Sequence, residues 1–223
     1  MHAMILAAGL GTRMRPLTDD LPKPLLPVGG KPLLQYLIEA LSRAGAGRIV
    51  INHGLKGEKI EAAFGDGSGF GTEIRYSAEG PTPLETGGGI RHALPLLGPN
   101  PFIVANGDIW TDFDFATLPG NPDSLAHVVL VANPSHHPAG DFALSGSQVR
   151  EAGEQLLTYS GIGVFRPDLF ADCPPGPFSL APLLRSAMRR DQVTGEYFDG
   201  RWIDVGNPGR LRELDLALRG GSF

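Results

Sequence analysis

The amino-acid sequence predicts an α/β fold: one domain over residues 1–223, a three-layer arrangement in which a mostly parallel, twisted sheet carries helices on both faces. Short apolar runs of strand character alternate with segments at helical spacing from the first residues to Ala105. A glycine-rich stretch leaves the first of these runs. The hydrophobic content of 42% supports a sizeable core, and the 31 glycines and 20 prolines are spread between apolar runs and form no low-complexity block, which reads as turns and ligand-facing loops. No linker and no internal repeat divides the chain.

The first strand is expected at His2–Ala7, short and apolar as in a buried parallel sheet. A long loop follows. Leu34, Leu37, Ile38 and Leu41 then recur at helical spacing, with Pro32 suited to the first turn and Gly45 to the stop. Arg48–Asn52 is the next strand, Glu58–Phe64 a short helix, and Glu73–Ser77 a strand, which completes βαβαβ. A helix opening at Gly88 or Gly89 and running to Leu96 leads into the strand Pro101–Ala105. Beyond it, strands at Ala126–Ala132, Asp141–Leu144, Gln148–Glu151 and Leu157–Phe165 have few helices between them and are expected to add antiparallel neighbours. Two helices, Ser179–Asp191 and Pro208–Leu218, flank a last strand at Arg201–Val205. Ligands of open α/β sheets bind beyond the carboxyl ends of the strands, so the loops after Ala7, Ser77 and Ala105 are expected to line one site.

The formal net charge of −5 argues against a general nucleic-acid binder. Residues 1–31 reverse that balance: Arg13, Arg15, Lys23 and Lys31 against Asp19 and Asp20 give 4 − 2 = +2, which suits a small polyanion. A single cysteine, Cys173, makes no internal disulfide, no Cys/His spacing points to zinc, and Met4–Ala8 is neither a signal peptide nor a membrane span. A cytoplasmic protein without membrane or nucleic-acid partners is expected, a monomer or a small homo-oligomer.

Chemistry concentrates first in Gly9-Leu10-Gly11-Thr12-Arg13-Met14, where small residues let backbone N–H groups approach a phosphate or a base. Met14 in place of a third glycine sets this loop apart from a dinucleotide fingerprint, and there is no Walker pattern. Prolines on both sides of Lys23 stiffen its backbone and limit where the ammonium group can reach. Asp108 and Asp204 each end an apolar strand. A lone aspartate there serves as a turn or helix cap as readily as a ligand, but two such carboxylates suit a hard cation that shares its remaining ligands with phosphates.

The order Gly-x-Gly-Thr-Arg-Met, Pro22-Lys23-Pro24-Leu25 and Lys31-Pro32-Leu33 resembles the signature of the sugar nucleotidyltransferase family. Leu84–Gly89, Asn106-Gly107-Asp108, Tyr159–Phe165 and Trp202–Gly206 continue the resemblance along nearly the whole chain. In its detail at Leu84–Gly89, Asn133–His137 and Gly140–Phe142 it is most similar to the bacterial uridylyltransferase branch acting on N-acetylmuramate 1-phosphate in peptidoglycan recycling. The resemblance implies a Rossmann-like three-layer sandwich, the nucleotide-diphospho-sugar transferase fold. It implies a nucleoside triphosphate, here UTP, and a sugar 1-phosphate as substrates, with Mg²⁺ as cofactor. By the same resemblance Ala8, Gly9, Gly11, Thr12, Arg13, Lys23, Glu79 and Gly87 meet the nucleotide, and Arg13, Lys23 and Asp108 are catalytic. Asp108 and Asp204 hold the metal. Glu85, Asn106, Asp141, Glu151 and Gly161 face the sugar, with Thr86 beside them.

Glu79 reads either as a solvated side chain or as the acceptor of a pyrimidine N–H. His136 and His137 lack a third metal ligand at sensible spacing and read as part of a loop shaping the sugar pocket. The lysine that relatives direct at the sugar phosphate is missing from Arg150-Glu151-Ala152-Gly153-Glu154. Residues 205–223 carry no hexapeptide-repeat acyltransferase domain, so a single activity is expected. Mannose-1-phosphate guanylyl transfer, glucose-1-phosphate thymidylyl or uridylyl transfer, and a non-catalytic nucleotide-binding regulator are the competing readings.

Overall fold

A computed structural model describes residues 1–80 and 82–221. Strand β1 (His2–Leu6) leads through two 3-10 turns, Thr12–Met14 and Lys23–Leu25, to a small hairpin of β2 (Pro27–Val28) and β3 (Lys31–Pro32) and to helix α1 (Leu33–Arg43). Then come β4 (Arg48–His53), α2 (Gly57–Phe64), β5 (Glu73–Ala78), α3 (Glu85–Leu97), β6 (Phe102–Asn106) and β7 (Ile109–Thr111). The second half holds β8 (Ala126–Val131), β9 (Ala143–Ser145), β10 (Gln148–Arg150), β11 (Thr158–Phe165), α4 (Leu180–Met188), β12 (Val193–Phe198), β13 (Trp202–Asp204) and α5 (Pro208–Arg219).

The main sheet is 9-stranded in the order β5-β4-β1-β6-β11-β8-β12-β10-β9. Its first four strands are parallel, β11 runs against both of its neighbours, and β12 returns parallel to β8. All strands but β11 and β10 therefore point the same way. Register sets the level of the site. Leu6 pairs with Asn52 on one side and with Asn106 on the other, and Asn52 pairs with Ser77, so four strands end on one line from which the loops depart together.

Side-chain alternation along the strands splits the apolar residues between the two faces of the sheet. Ala3 and Ile5 of β1 with Ile49 and Ile51 of β4 pack under Leu34, Leu37, Ile38 and Leu41 of α1 and Ile60 of α2. Met4, Val50 and Val104 face the other way, with Ile90, Ala93 and Leu97 of α3 and Leu180, Leu184 and Met188 of α4. A third cluster lies below the site: Met14, Leu26, Val28, Leu33, Trp110, Val205, Leu211 and Leu214.

Several elements differ from the sequence expectation, the short strand β7 among them. Strand β12 was not expected, because Gly195 interrupts its apolar pattern; a Cβ there would lie 2.5 Å from the Val128 carbonyl oxygen, so glycine is what lets β12 lie against β8. The expected last strand, β13, pairs instead with β7 in a separate two-stranded ribbon. The long loop after β1 contains the β2–β3 hairpin. Helix α3 opens at Glu85 rather than at Gly88, so its glycines lie inside the helix. They are there for close packing: Cβ atoms at Gly87, Gly88 and Gly89 would meet the Phe178 ring at 2.4 Å, the Gly176 carbonyl oxygen at 2.3 Å and Glu79 Oε1 at 2.5 Å.

Candidate active site

A cavity of about 450 Å³ opens at the line of strand ends and is lined by the loop from Ala7 to Met14, by Lys23, by Glu79, Glu85 and Thr86, and by Asn106 to Asp108. The loops expected after β1, β5 and β6 do converge there. Gly11 sits at φ 63°, and a Cβ on it would lie 3.1 Å from Thr18 Cγ2, so both backbone and space require glycine. Thr18 Oγ1 donates to the Gly11 carbonyl at 2.9 Å, and buried Met14 ties the next turn to the third cluster. Gly9 has nothing within 4 Å of where a Cβ would stand, which leaves that side open to a ligand. Ala8 and Thr12 line the same loop, and the exposed Arg13 has no ion-pair partner among the described residues.

Lys23 is different. Its side chain is only 10% exposed, and its Nζ donates to Asp108 Oδ2 at 2.6 Å. Pro22 and Pro24, both buried, frame the turn that aims it. Asp108 reaches it because Gly107 presses against β1: its N–H donates to the Leu6 carbonyl at 2.8 Å, where a Cβ would come within 2.6 Å of that oxygen.

The β7–β13 ribbon brings the second aspartate alongside. Asp204 pairs in register with Ile109, and Val205 N–H donates to the Asp108 carbonyl at 2.8 Å. Asp204 Oδ2 accepts from Arg210 Nη1 at 3.0 Å and lies 3.3 Å from His136 Nε2. No group of three or more His, Cys, Asp or Glu side chains at metal-holding spacing occurs among the described residues. Two hard carboxylates, each with one oxygen engaged by a cationic side chain, nonetheless fit a divalent ion that takes its other ligands from substrate phosphates and water.

Each of these residues borders an anchor in the third cluster: Arg13 beside Met14, Lys23 near Leu26, Asp108 near Trp110, Asp204 beside Val205. At roughly 1.5–3 kcal/mol per buried apolar side chain, such anchors offset the ~1–2 kcal/mol that ordering one loop residue costs.

Glu79 is half-buried at the cavity wall, and each of its carboxylate oxygens already accepts a hydrogen bond from the protein. Oε1 accepts from Asn52 Nδ2 at 2.5 Å and Oε2 from Leu84 N–H at 2.8 Å, while Asn52 Oδ1 accepts from Ala7 N–H at 2.7 Å. The side chain braces β1, β4 and the start of α3 against one another. Gly87 turns its open side to Phe178 rather than to the cavity. Lys31, the lysine of the third motif, points away to Glu39 and over the Tyr36 ring. Burial pushes the Glu39 carboxyl up, but hydrogen bonds from Lys31 and Gln35 hold it below its ordinary value on balance.

On the other flank Asn106 lines the cavity, and Gly161, at φ 80° beside a bulge in β11, leaves room for it: a Cβ would lie 2.4 Å from Asn106 Nδ2. Asp141 lies outside the cavity lining, with Oδ2 accepting from Tyr159 N–H at 2.8 Å and Oδ1 3.1 Å from His137 Nε2. Glu151 pairs with Arg189 at 2.7 Å and lies outside the cavity lining. Glu85 does line it, at the unusual φ of 59°, with one carboxylate oxygen bonded to Ser179 Oγ.

Asn52, Gly206 and Arg210 were not anticipated. Asn52 carried a readable signal, a polar residue ending the apolar run Ile49–Ile51, like Asn106 after Phe102–Ala105. Arg210 carried none: Asn207 Oδ1 caps α5 by accepting from Arg210 N–H at 3.0 Å, and only the fold turns its guanidinium toward Asp204.

Residues 2–142 match the model of a family described as nucleotidyl transferase. The chain is 51% identical over 229 residues, 99% of both chains, to an N-acetylmuramate alpha-1-phosphate uridylyltransferase of Neisseria meningitidis serogroup B. It is 38% identical over 222 residues, 92% of both, to a protein of the same name from Caulobacter vibrioides. Among solved structures, a Bacillus anthracis chain assigned as a glucose-1-phosphate thymidylyltransferase and crystallised with sucrose superposes with a TM-score of 0.86 over 98% of this chain and 95% of that one, at 21% identity, a likeness of fold.

Proposed function

The chain belongs to the nucleotidyl transferase family and is a sugar-1-phosphate nucleotidyltransferase, and from that premise we propose that it transfers the uridylyl group of UTP to N-acetylmuramate 1-phosphate in the cytoplasm, as a step of peptidoglycan recycling. The observation that carries the transfer chemistry is the meeting of a glycine-built loop, the Lys23–Asp108 pair and Arg13 in one cavity. The choice of substrates is supported by the two relatives that match this chain over more than nine-tenths of their length.

The loop from Ala8 to Met14 would receive the triphosphate, its backbone N–H groups and Arg13 facing the anionic oxygens. A phosphate oxygen of the sugar 1-phosphate attacks the α-phosphorus in line; the new O–P bond forms as the α–β bridge breaks and pyrophosphate departs. That oxygen is ionised near neutral pH, so no side chain has to remove a proton. Lys23, held before the substrates arrive, presents its charge where negative charge accumulates in the transition state. Asp108 and Asp204 would hold a divalent cation, proposed to be Mg²⁺, which supplies Lewis-acid charge on the triphosphate when bound. Glu79 keeps Asn52 and the start of α3 in place, and a base contact there would come from its remaining acceptor positions or from backbone groups near Gly80.

The test is pyrophosphate release from a panel: UTP with N-acetylmuramate 1-phosphate, GTP with mannose 1-phosphate, and dTTP or UTP with glucose 1-phosphate. The first pair is expected to have the highest kcat/KM by a wide margin, since specificity is a difference in transition-state binding. A preference for another pair reassigns the sugar and base, and release from none of them overturns the transfer reading.

A further inference from the structure

Arg210 stands just behind the cavity wall and belongs to none of the motifs. Its side chain is 16% exposed, its Nη1 donates to Asp204 Oδ2 at 3.0 Å and to His136 Nε2, and its Nε is buried without a hydrogen-bond partner among the described residues. The guanidinium fills the space that Gly206 leaves: a Cβ on Gly206 would lie 2.1 Å from Nη2. Gly206 has no positive φ that would demand glycine, and a Cβ there would displace the guanidinium from its present seat. The same absent Cβ would lie 3.1 Å from Asp204 Oδ1, and Gly206 lines the cavity. Asp204 thus has one oxygen turned to Arg210 and His136 and the other on the side of the cavity-lining residue.

We propose that Arg210 is the positioning residue of Asp204: seated in the Gly206 gap and backed by His136, it takes Oδ2 and presents Oδ1 to the divalent cation. A carboxylate on a short ribbon rotates freely unless one oxygen is held. A fork-shaped guanidinium packed on a glycine fixes it better than a lone ammonium group would. The burial of Nε without an acceptor carries a desolvation cost, which marks a side chain held by its surroundings rather than by its own hydrogen bonds. This rests on reading Asp204 as a metal ligand.

The experiment measures Mn²⁺ binding by electron paramagnetic resonance on the intact enzyme with a non-hydrolysable UTP analogue, comparing the parent with Arg210→Lys, Gly206→Ala and Asp204→Asn. Arg210→Lys and Gly206→Ala keep the positive charge, so a change in affinity reports orientation and not Coulomb repulsion. Both are expected to weaken Mn²⁺ binding about 10- to 100-fold, as loss of an outer partner of a metal ligand does. The metal concentration for half-maximal turnover should rise by the same factor, while KM for the sugar phosphate at saturating metal holds. Parent-like Mn²⁺ affinity in a folded Arg210→Lys, or in Asp204→Asn, overturns the proposal, and Arg210→Lys decides alone if Gly206→Ala does not fold. Pyrophosphate release by the parent is followed in parallel. Product formation without the affinity change removes the role of Arg210 alone; an affinity change without product from any substrate pair removes the transfer reading alone.

Discussion

The two flanks of the cavity are built by different means. On the side of β5, β4 and β1 the groups are placed mainly by local devices, a left-handed glycine at Gly11, prolines around Lys23 and strand ends level in register, with one distant brace through Ala7, Asn52 and Glu79. On the side of β8, β11 and β13 placement depends on latches between distant segments. Asn133 Nδ2 donates to the Leu156 carbonyl and Asn133 Oδ1 accepts from Thr158 Oγ1, each at 2.8 Å; Asp141 holds Tyr159 N–H, and His136 meets Arg210 and Asp204. Parallel strands with crossover helices bring their carboxyl ends together as a matter of topology, whereas the antiparallel half has no common edge of that kind. The difference predicts that the flank proposed to take the nucleotide tolerates loss of distant contacts better than the flank proposed to take the sugar.

The largest effect is expected where the flanks meet. Lys23→Ala should lower kcat by about 10²–10³-fold, the scale of losing one preorganised charge-stabilising donor, with a smaller change in nucleotide KM. Steady-state kinetics with each substrate varied in turn checks it; a change confined to nucleotide KM makes Lys23 a ground-state clamp. Asp108→Asn should fall with it, and the double variant should be no worse than the lower single, because the two side chains act as one pair.

Asp141→Ala separates the flanks. Releasing Tyr159 N–H and His137 frees the loop Asn133–Phe142, so KM for the sugar phosphate should rise about tenfold, the equivalent of one charge-assisted hydrogen bond, while KM for the nucleotide stays. Equal rises in both constants would erase the distinction between the halves.

Glu85 offers a test of the opposite sign. A non-glycine residue at φ 59° is strained, and Glu85→Gly should relieve about 1 kcal/mol, raising Tm by roughly 2–4 °C for a chain of this size. Calorimetry decides, with kcat/KM for the substrate panel as companion: a stabler protein with poorer selection identifies strain kept for function, and an unchanged Tm shows that Ser179 and the helix start already compensate.

The smallest effect lies outside the cavity. Because Glu39 is held below its ordinary value when folded, its contribution is present above the unfolded value and is lost as pH falls through the folded one. Glu39→Gln should therefore lower Tm slightly at neutral pH and not at acid pH, without touching kinetics. A kinetic change would bring Lys31 into the site after all.

The sequence by itself determined most of the sheet and most of the cavity. Apolar period and the glycine-loop, Pro-Lys-Pro and Asn-Gly-Asp motifs located β1, β4, β5 and β6, and with them Gly11, Lys23 and Asp108, because strand burial, φ restriction and chain stiffness act within a few residues of their cause. Tertiary structure decided the rest. Strand β12 exists because Gly195 admits the Val128 carbonyl, a contact no local pattern carries. Glu79 became a brace and Glu151 an outlying ion pair because their partners, Asn52, Leu84 and Arg189, come from elsewhere in the chain. Arg210 reaches Asp204 only when α5 caps on Asn207 and β13 lies on β7. A side chain's reach is set by spacing along the chain, but its partner is set by which distant segments the core brings within hydrogen-bond distance.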